Sequence, residues 1–151
     1  MNVMTTMADM VVRSPSGAIA LIVEVKARPQ ATDKWAATLR RNFSAHGMIS
    51  DSAYFLLALP DFFYLWKPGT SIEVVHADYK VSANDALKDY LQDMSLKDLS
   101  TSSLELLLGV WVSNLLESKI TLESEPELSW LIDSGLYEYI KGGSIHAQVP
   151  L

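Results

Sequence analysis

The chain is predicted to be an α/β domain, a mixed sheet flanked by helices with a helical C-terminal part, and three observations carry that reading. Ala18–Ala27 (AIALIVEVKA) is a near-continuous apolar run ending in charge, typical of a central strand covered on both faces. Between Thr32 and Ala45 the apolar residues Trp35, Ala36, Leu39 and Phe43 recur at helical spacing. The order strand, strand, helix, strand, strand, followed by helices, is that of an α/β chain.

Taken in order, residues 3–13 (VMTTMADMVVR) read as a strand, and Ser14-Pro15-Ser16-Gly17 is turn chemistry, so the first two strands form a hairpin. Thr32 or Asp33 caps the first helix, and His46-Gly47 stops it. Ala53–Leu59 (AYFLLAL) is a buried strand ended by Pro60-Asp61, where Asp61 is turn chemistry and not a ligand. Phe62–Trp66 (FFYLW) is a strand closed by Lys67-Pro68-Gly69, and Ile72–Val75 is a short further strand. Burial in these strands explains the run of aromatic residues from Tyr54 to Trp66 better than a base-stacking platform does. The second half carries a helix from Ser82 or Asn84 to Met94 and a longer one from Ser102 or Ser103 to Ser118. A short helix over Glu125–Ile132 and a last strand, Ser144–Val149, after Gly142-Gly143 complete it. No linker is visible, so residues 1–151 are read as one domain, with a core over 3–75 and a helical part over 82–151.

Composition narrows the chemistry. The chain of 151 residues has no cysteine, which excludes disulfides and thiolate metal sites, and its three histidines match no zinc spacing. Met1–Met10 has neither the charged nor the apolar region of a signal peptide. The longest apolar stretch, Leu104–Leu116, is broken by Glu105 and falls short of the roughly 20 residues that span a membrane, so a soluble cytoplasmic protein is expected. The net charge of −6 argues against a general nucleic-acid coat. It is unevenly spread, however: residues 13–41 carry six bases against Glu24 and Asp33, and residues 70–151 carry 13 acids against five bases.

The chemistry centres on Asp9 and on Glu24-Val25-Lys26. Phosphodiester hydrolysis requires an activated water and neutralised phosphate charge. Mg²⁺ or Mn²⁺ supplies both from oxygen ligands, and a lysine beside it can orient the water or stabilise developing charge. Residues two apart on a strand share a face, so Glu24 and Lys26 point the same way. In a regular hairpin that pairs Arg13 with Ala18, Asp9 lies opposite Ile22, diagonal to Glu24 and about 7 Å from it. The cation is expected on Asp9, Glu24 and the Val25 carbonyl. The competing reading is an unrelated α/β domain in which Glu24 and Lys26 are a surface pair at a strand end.

The stretch ADMVV…GAIALIVEVKA, then DKWAATLRRNF, then AYFLLALPDFFYLW, resembles the PD-(D/E)xK nuclease superfamily, also called restriction-endonuclease-like, over about residues 3 to 67. Asp9, Glu24 and Lys26 match its motif position by position. Val25 is the variable residue, and Ala8 stands where the motif has proline. The resemblance implies a restriction-endonuclease-like mixed sheet and a Mg²⁺-dependent endonuclease acting on DNA. Asp9, Glu24 and Lys26 would be catalytic, and Arg28, Lys34, Arg40 and Arg41 would contact phosphate. It also implies a helix and a first strand ahead of Asp9, where only eight residues stand here. Either the chain is a piece with its front removed or it is a reduced member of such a family; in both cases the N-terminal core helix is expected to be missing here and the sheet edge beside the Asp9 strand bare. With the surplus apolar surface of Leu104–Leu116, that edge suggests a homodimer. The alternative function is a nuclease-fold module that binds or assembles without cutting.

Overall fold

The computed structural model describes residues 7–45 and 52–150. The expected strand residues 3–6 and the His46-Gly47 helix stop lie outside the described residues. Six strands form one mixed sheet: β1 (Met7–Arg13), β2 (Ile19–Val25), β3 (Tyr54–Ala58), β4 (Phe62–Trp66), β5 (Tyr79–Ser82) and β6 (Ser144–Pro150). Their order is β5-β4-β3-β2-β1-β6. Only β2 and β3 run parallel, joined across the sheet by α1 (Asp33–Ala45).

Helices cover both faces. On one face, α1 sets Ala36 and Phe43 against Val11, Ile22, Phe55, Leu57 and Trp66. On the other lie α2 (Ala83–Leu91), α3 (Thr101–Leu116), α4 (Ser129–Asp133) and α5 (Leu136–Ile140), which bury Leu87, Leu108, Trp111, Leu131 and Ile140 against Leu21, Val23, Leu56 and Phe63. Both strands that line the middle of the sheet are thus apolar on two sides, which is why β2 and β3 read as unbroken hydrophobic runs. Among the described residues, no helix is long and apolar enough to cross a membrane.

Capping explains the helix starts. The Trp35 N–H donates to Thr32 Oγ1 at 3.1 Å, the Asp85 N–H to Ser82 Oγ at 3.3 Å and the Ser103 N–H to Ser100 Oγ at 3.1 Å. α3 therefore begins slightly earlier than expected. α2 ends at Leu91 and not at Met94, because Gln92 turns left-handed at φ 51°. The helix expected over 125–132 divides into a 3₁₀ turn, Pro126–Leu128, and α4; α5 was not anticipated.

Two expectations are corrected. Ile72–Val75 is not a strand, and its three apolar side chains are exposed. The chain after β4 is held in a loop instead: Asp78 accepts from the Lys67 N–H at 2.8 Å and the Thr70 hydroxyl at 2.7 Å, and pairing with β4 resumes only at Tyr79. Nor is β1 a bare edge. β6 pairs along it antiparallel from Arg13–Ser144 to Met7–Pro150, so the last strand of the helical half fills the position beside the Asp9 strand. That removes the sheet-edge argument for a homodimer. The surplus apolar surface remains, as Leu106 and Val110 on α3.

Candidate active site

The β1–β2 hairpin brings the motif residues together, through a register two residues away from the simplest one. Gly17, at φ 94°, donates to the Ser14 carbonyl at 2.8 Å, and the Ser14 N–H donates to the Ala18 carbonyl at 2.9 Å. The turn so formed pairs Arg13 with Ile19 and not with Ala18. An irregularity between Val12 and Arg13 then leaves Ala20 without a partner, and the ladder continues as Val12–Leu21, Val11–Ile22 and Met10–Val23. Beyond Met10 the ladder stops, and the Asp9 carboxylate comes to lie beside that of Glu24. The two one-residue shifts add to an even number, so no side chain changes face.

The ladder ends at Met10–Val23, and the Asp9 side chain takes over the next bond: its Oδ2 accepts the Val25 N–H at 2.8 Å. Asp9 is thereby fixed against the end of β2. Glu24 is 3% exposed. Its Oε1 meets Lys26 Nζ at 3.1 Å, and its Oε2, fully buried, meets no hydrogen-bond donor among the described residues. Burial and, next, the adjacent Asp9 carboxylate push the Glu24 carboxyl up to about 7, and Lys26 opposes this only in part. Lys26 itself is half in solvent, its side chain 45% exposed. Two carboxylates pressed together, one with an orphaned oxygen, form a group that calls for a proton or a cation.

The pH dependence follows in sign. With the folded-state pKa above the ordinary 4.5, the folded protein holds a proton on Glu24 between about pH 4.5 and 7 that the unfolded chain has released. Stability in the absence of metal is therefore expected to fall as pH rises through that window, by at most about 1.4 kcal/mol per unit. Glu24→Gln should flatten the slope and be the more stable protein at pH 8. Adding Mg²⁺ or Mn²⁺ at pH 8 should stabilise the wild type and leave Glu24→Gln unchanged. Urea unfolding at several pH values checks this; parallel profiles for the two proteins would show that Glu24 is not the buried acid described.

Asp9 also lines a cleft of about 860 Å³ between β1, β6 and α3. Glu105 of α3 lines the same cleft, its carboxyl raised by burial and by Asp9. It was not singled out from the sequence, although it is the one charged residue within α3, and a lone acid in an apolar helix is a signal. Among the described residues, no three His, Asp or Glu side chains are grouped closely enough to enclose a metal. A cation here would rest on Asp9 and Glu24, with water and substrate oxygens completing its shell, an arrangement usual for Mg²⁺. Val25 contributes its N–H to Asp9.

The four basic residues divide. Arg28 is exposed and stacks over the Trp35 ring, 4.6 Å from its centroid, leaving Trp35 partly buried against the α1-side core. Lys34 and Arg41 are exposed, seven residues apart on α1 and so on one side of it. Arg40 is a correction. It is 4% exposed, donates to the Thr70 carbonyl at 2.6 Å and the Ser71 carbonyl at 3.0 Å, and lies over Trp66. Its guanidinium holds the loop after β4 and is not offered to a phosphate. Asp61 also has a structural task, accepting the Gln30 N–H at 2.5 Å where that residue turns at φ 60°.

No protein-family model matches the chain, and neither a curated protein nor a solved structure does.

Proposed function

We propose that the protein is a restriction-endonuclease-like, metal-dependent nuclease that hydrolyses phosphodiester bonds in DNA. The observation that carries this reading is the apposition of Asp9 and Glu24 at the end of the β1–β2 ladder, with an orphaned Glu24 oxygen and Lys26 Nζ 3.1 Å from its partner oxygen. When bound, Mg²⁺ or Mn²⁺ would supply charge neutralisation and an acidified water. The chain's own residues do the rest. Val25 orients Asp9 through its N–H, the apolar surroundings of Glu24 keep its lone pairs unhydrated and available, and Lys26 places a positive charge where the phosphate would develop negative charge. Arg28, Lys34 and Arg41 give the strand a basic, exposed flank on the side of α1, suited to backbone phosphates and blind to sequence.

A second reading is a nuclease-fold module that binds without cutting. It is favoured by the lack, among the described residues, of a third acidic side chain close enough to share the ion. Incubation with single-stranded, duplex and branched DNA in Mg²⁺ or Mn²⁺ separates the two. Cleavage by the wild type and none by Glu24→Ala is the expected result. Metal binding without cleavage of any substrate leaves the module. Equal calorimetric metal affinity for wild type and Glu24→Ala would sink the site altogether.

A further inference from the structure

The sheet has two outer strands, and they are treated differently. β5 has only four residues, Tyr79–Ser82, and carries Lys80, so it is short and charged in the way that blunts an edge. β6 has seven, SIHAQVP, with no Asp, Glu, Lys or Arg among them. One side of β6 pairs with β1, and among the described residues no strand lies beyond it. Alternate residues Ile145 and Ala147 share one face of β6, and this face lines the cleft of about 860 Å³ under α3. Across the cleft stand Leu106 and Val110, one helical turn apart, 73% and 52% exposed. An unpaired strand edge beside an apolar trough is the geometry to which an extended peptide adds, by main-chain bonds along the edge and alternate side chains into the trough.

Charge selects the occupant. The cleft is rimmed by Asp9, Glu105 and Glu117, and its one base, Lys119, is already paired with Glu117 at 2.7 Å. Along α3, Glu105 and Glu117 disfavour nucleic acid by phosphate repulsion, whereas Asp9 belongs to the candidate metal site, where a bound cation would offset its charge. A second copy would bring an identical acidic rim on a chain of net charge −6. We propose that this cleft is a docking site for an extended segment of a partner protein, alternating apolar and basic residues, which adds to the sheet as a seventh strand beside β6. The apolar positions would pack on Leu106 and Val110, and the basic ones would meet Glu105 and Glu117. The proposal stands on this edge and does not rest on the catalytic reading.

Fluorescence anisotropy with labelled peptides of about eight residues tests it. One probe alternates Lys and Val, a second alternates Glu and Val, and a third is the Lys/Val peptide with a central proline, which keeps the charge but cannot extend a ladder. The first probe should bind at least about tenfold more tightly than either of the others. Leu106→Asp and Val110→Asp, at exposed positions where the fold tolerates them, should each weaken it by about tenfold with an unchanged circular dichroism spectrum. The proposal falls if the Lys/Val peptide shows no saturable binding up to about 1 mM. It falls equally if the Glu/Val or proline peptide binds as well, or if Leu106→Asp has no effect. Self-association of the wild type that Leu106→Asp abolishes would overturn it in favour of a second copy.

Discussion

On the proposed nuclease reading, Lys26→Ala is expected to slow DNA cleavage by about 10²–10³ while metal binding persists, because the lysine would act on charge that develops at the phosphate and not on the ion. The geometry adds a condition to this expectation. Lys26 Nζ sits 3.1 Å from Glu24 Oε1 and holds down a carboxyl that burial and Asp9 raise to about 7. Without the lysine that carboxyl rises further, so at neutral pH a proton competes better with the metal. The comparison therefore belongs near pH 8.5, where Glu24 is ionised in the wild type. There, calorimetry should find the metal affinity of Lys26→Ala close to wild type, while Asp9→Ala and Glu24→Ala lose both affinity and cleavage. Lys34→Ala and Arg41→Ala should weaken DNA binding across sequences and lower its salt dependence, whereas Arg40→Ala should act through stability. Undiminished cleavage by Lys26→Ala would remove the lysine from the mechanism.

What could be read in the sequence was local and periodic. The run from Ala18 to Ala27 is doubly apolar because helices cover both faces of β2, and the spacing of Trp35, Ala36, Leu39 and Phe43 is the buried side of α1. That Asp9 and Glu24 come close was legible, but the hairpin register was not. A turn residue and an irregularity each moved the ladder by one, and neither leaves a mark in residue type. What could not be read depends on partners distant in the chain. Arg40 looks like any basic residue on a helix until Thr70 and Ser71 present their carbonyls to it from 30 positions away. Ile72–Val75 has strand-forming side chains, but Asp78 and Arg40 keep its neighbourhood in a loop. The strand beside Asp9 comes from the far end of the chain, and Glu105 joins the cleft only because α3 packs against β2 and β6.

Gly143→Ala is expected to cost about 3 kcal/mol of stability, as overpacking against rigid surroundings does. The chain leaves α5 through Gly142, at φ 76° with its N–H on the Leu116 carbonyl at 2.9 Å, and reaches Gly143 at the start of β6. There the backbone crosses so close to β1 that an added Cβ would lie 2.0 Å from the Arg13 carbonyl oxygen and 2.8 Å from that of Ile140. Both neighbours are main chain, so no side chain can rotate away. The methyl group can be housed only by opening the Arg13–Ser144 pair or by shifting the end of α5. Either movement loosens β6 along β1, the strand that carries Asp9, so metal affinity should fall together with stability. Gly109→Ala is the matching control. It lies within α3, where a Cβ meets nothing within 4 Å, and it should stabilise by roughly 0.5–1 kcal/mol through the helical preference of alanine alone. Urea unfolding measures both. If Gly143→Ala proves as stable as the wild type, β6 does not lie against β1 as described, and the sheet edge beside Asp9 would have to be reassigned.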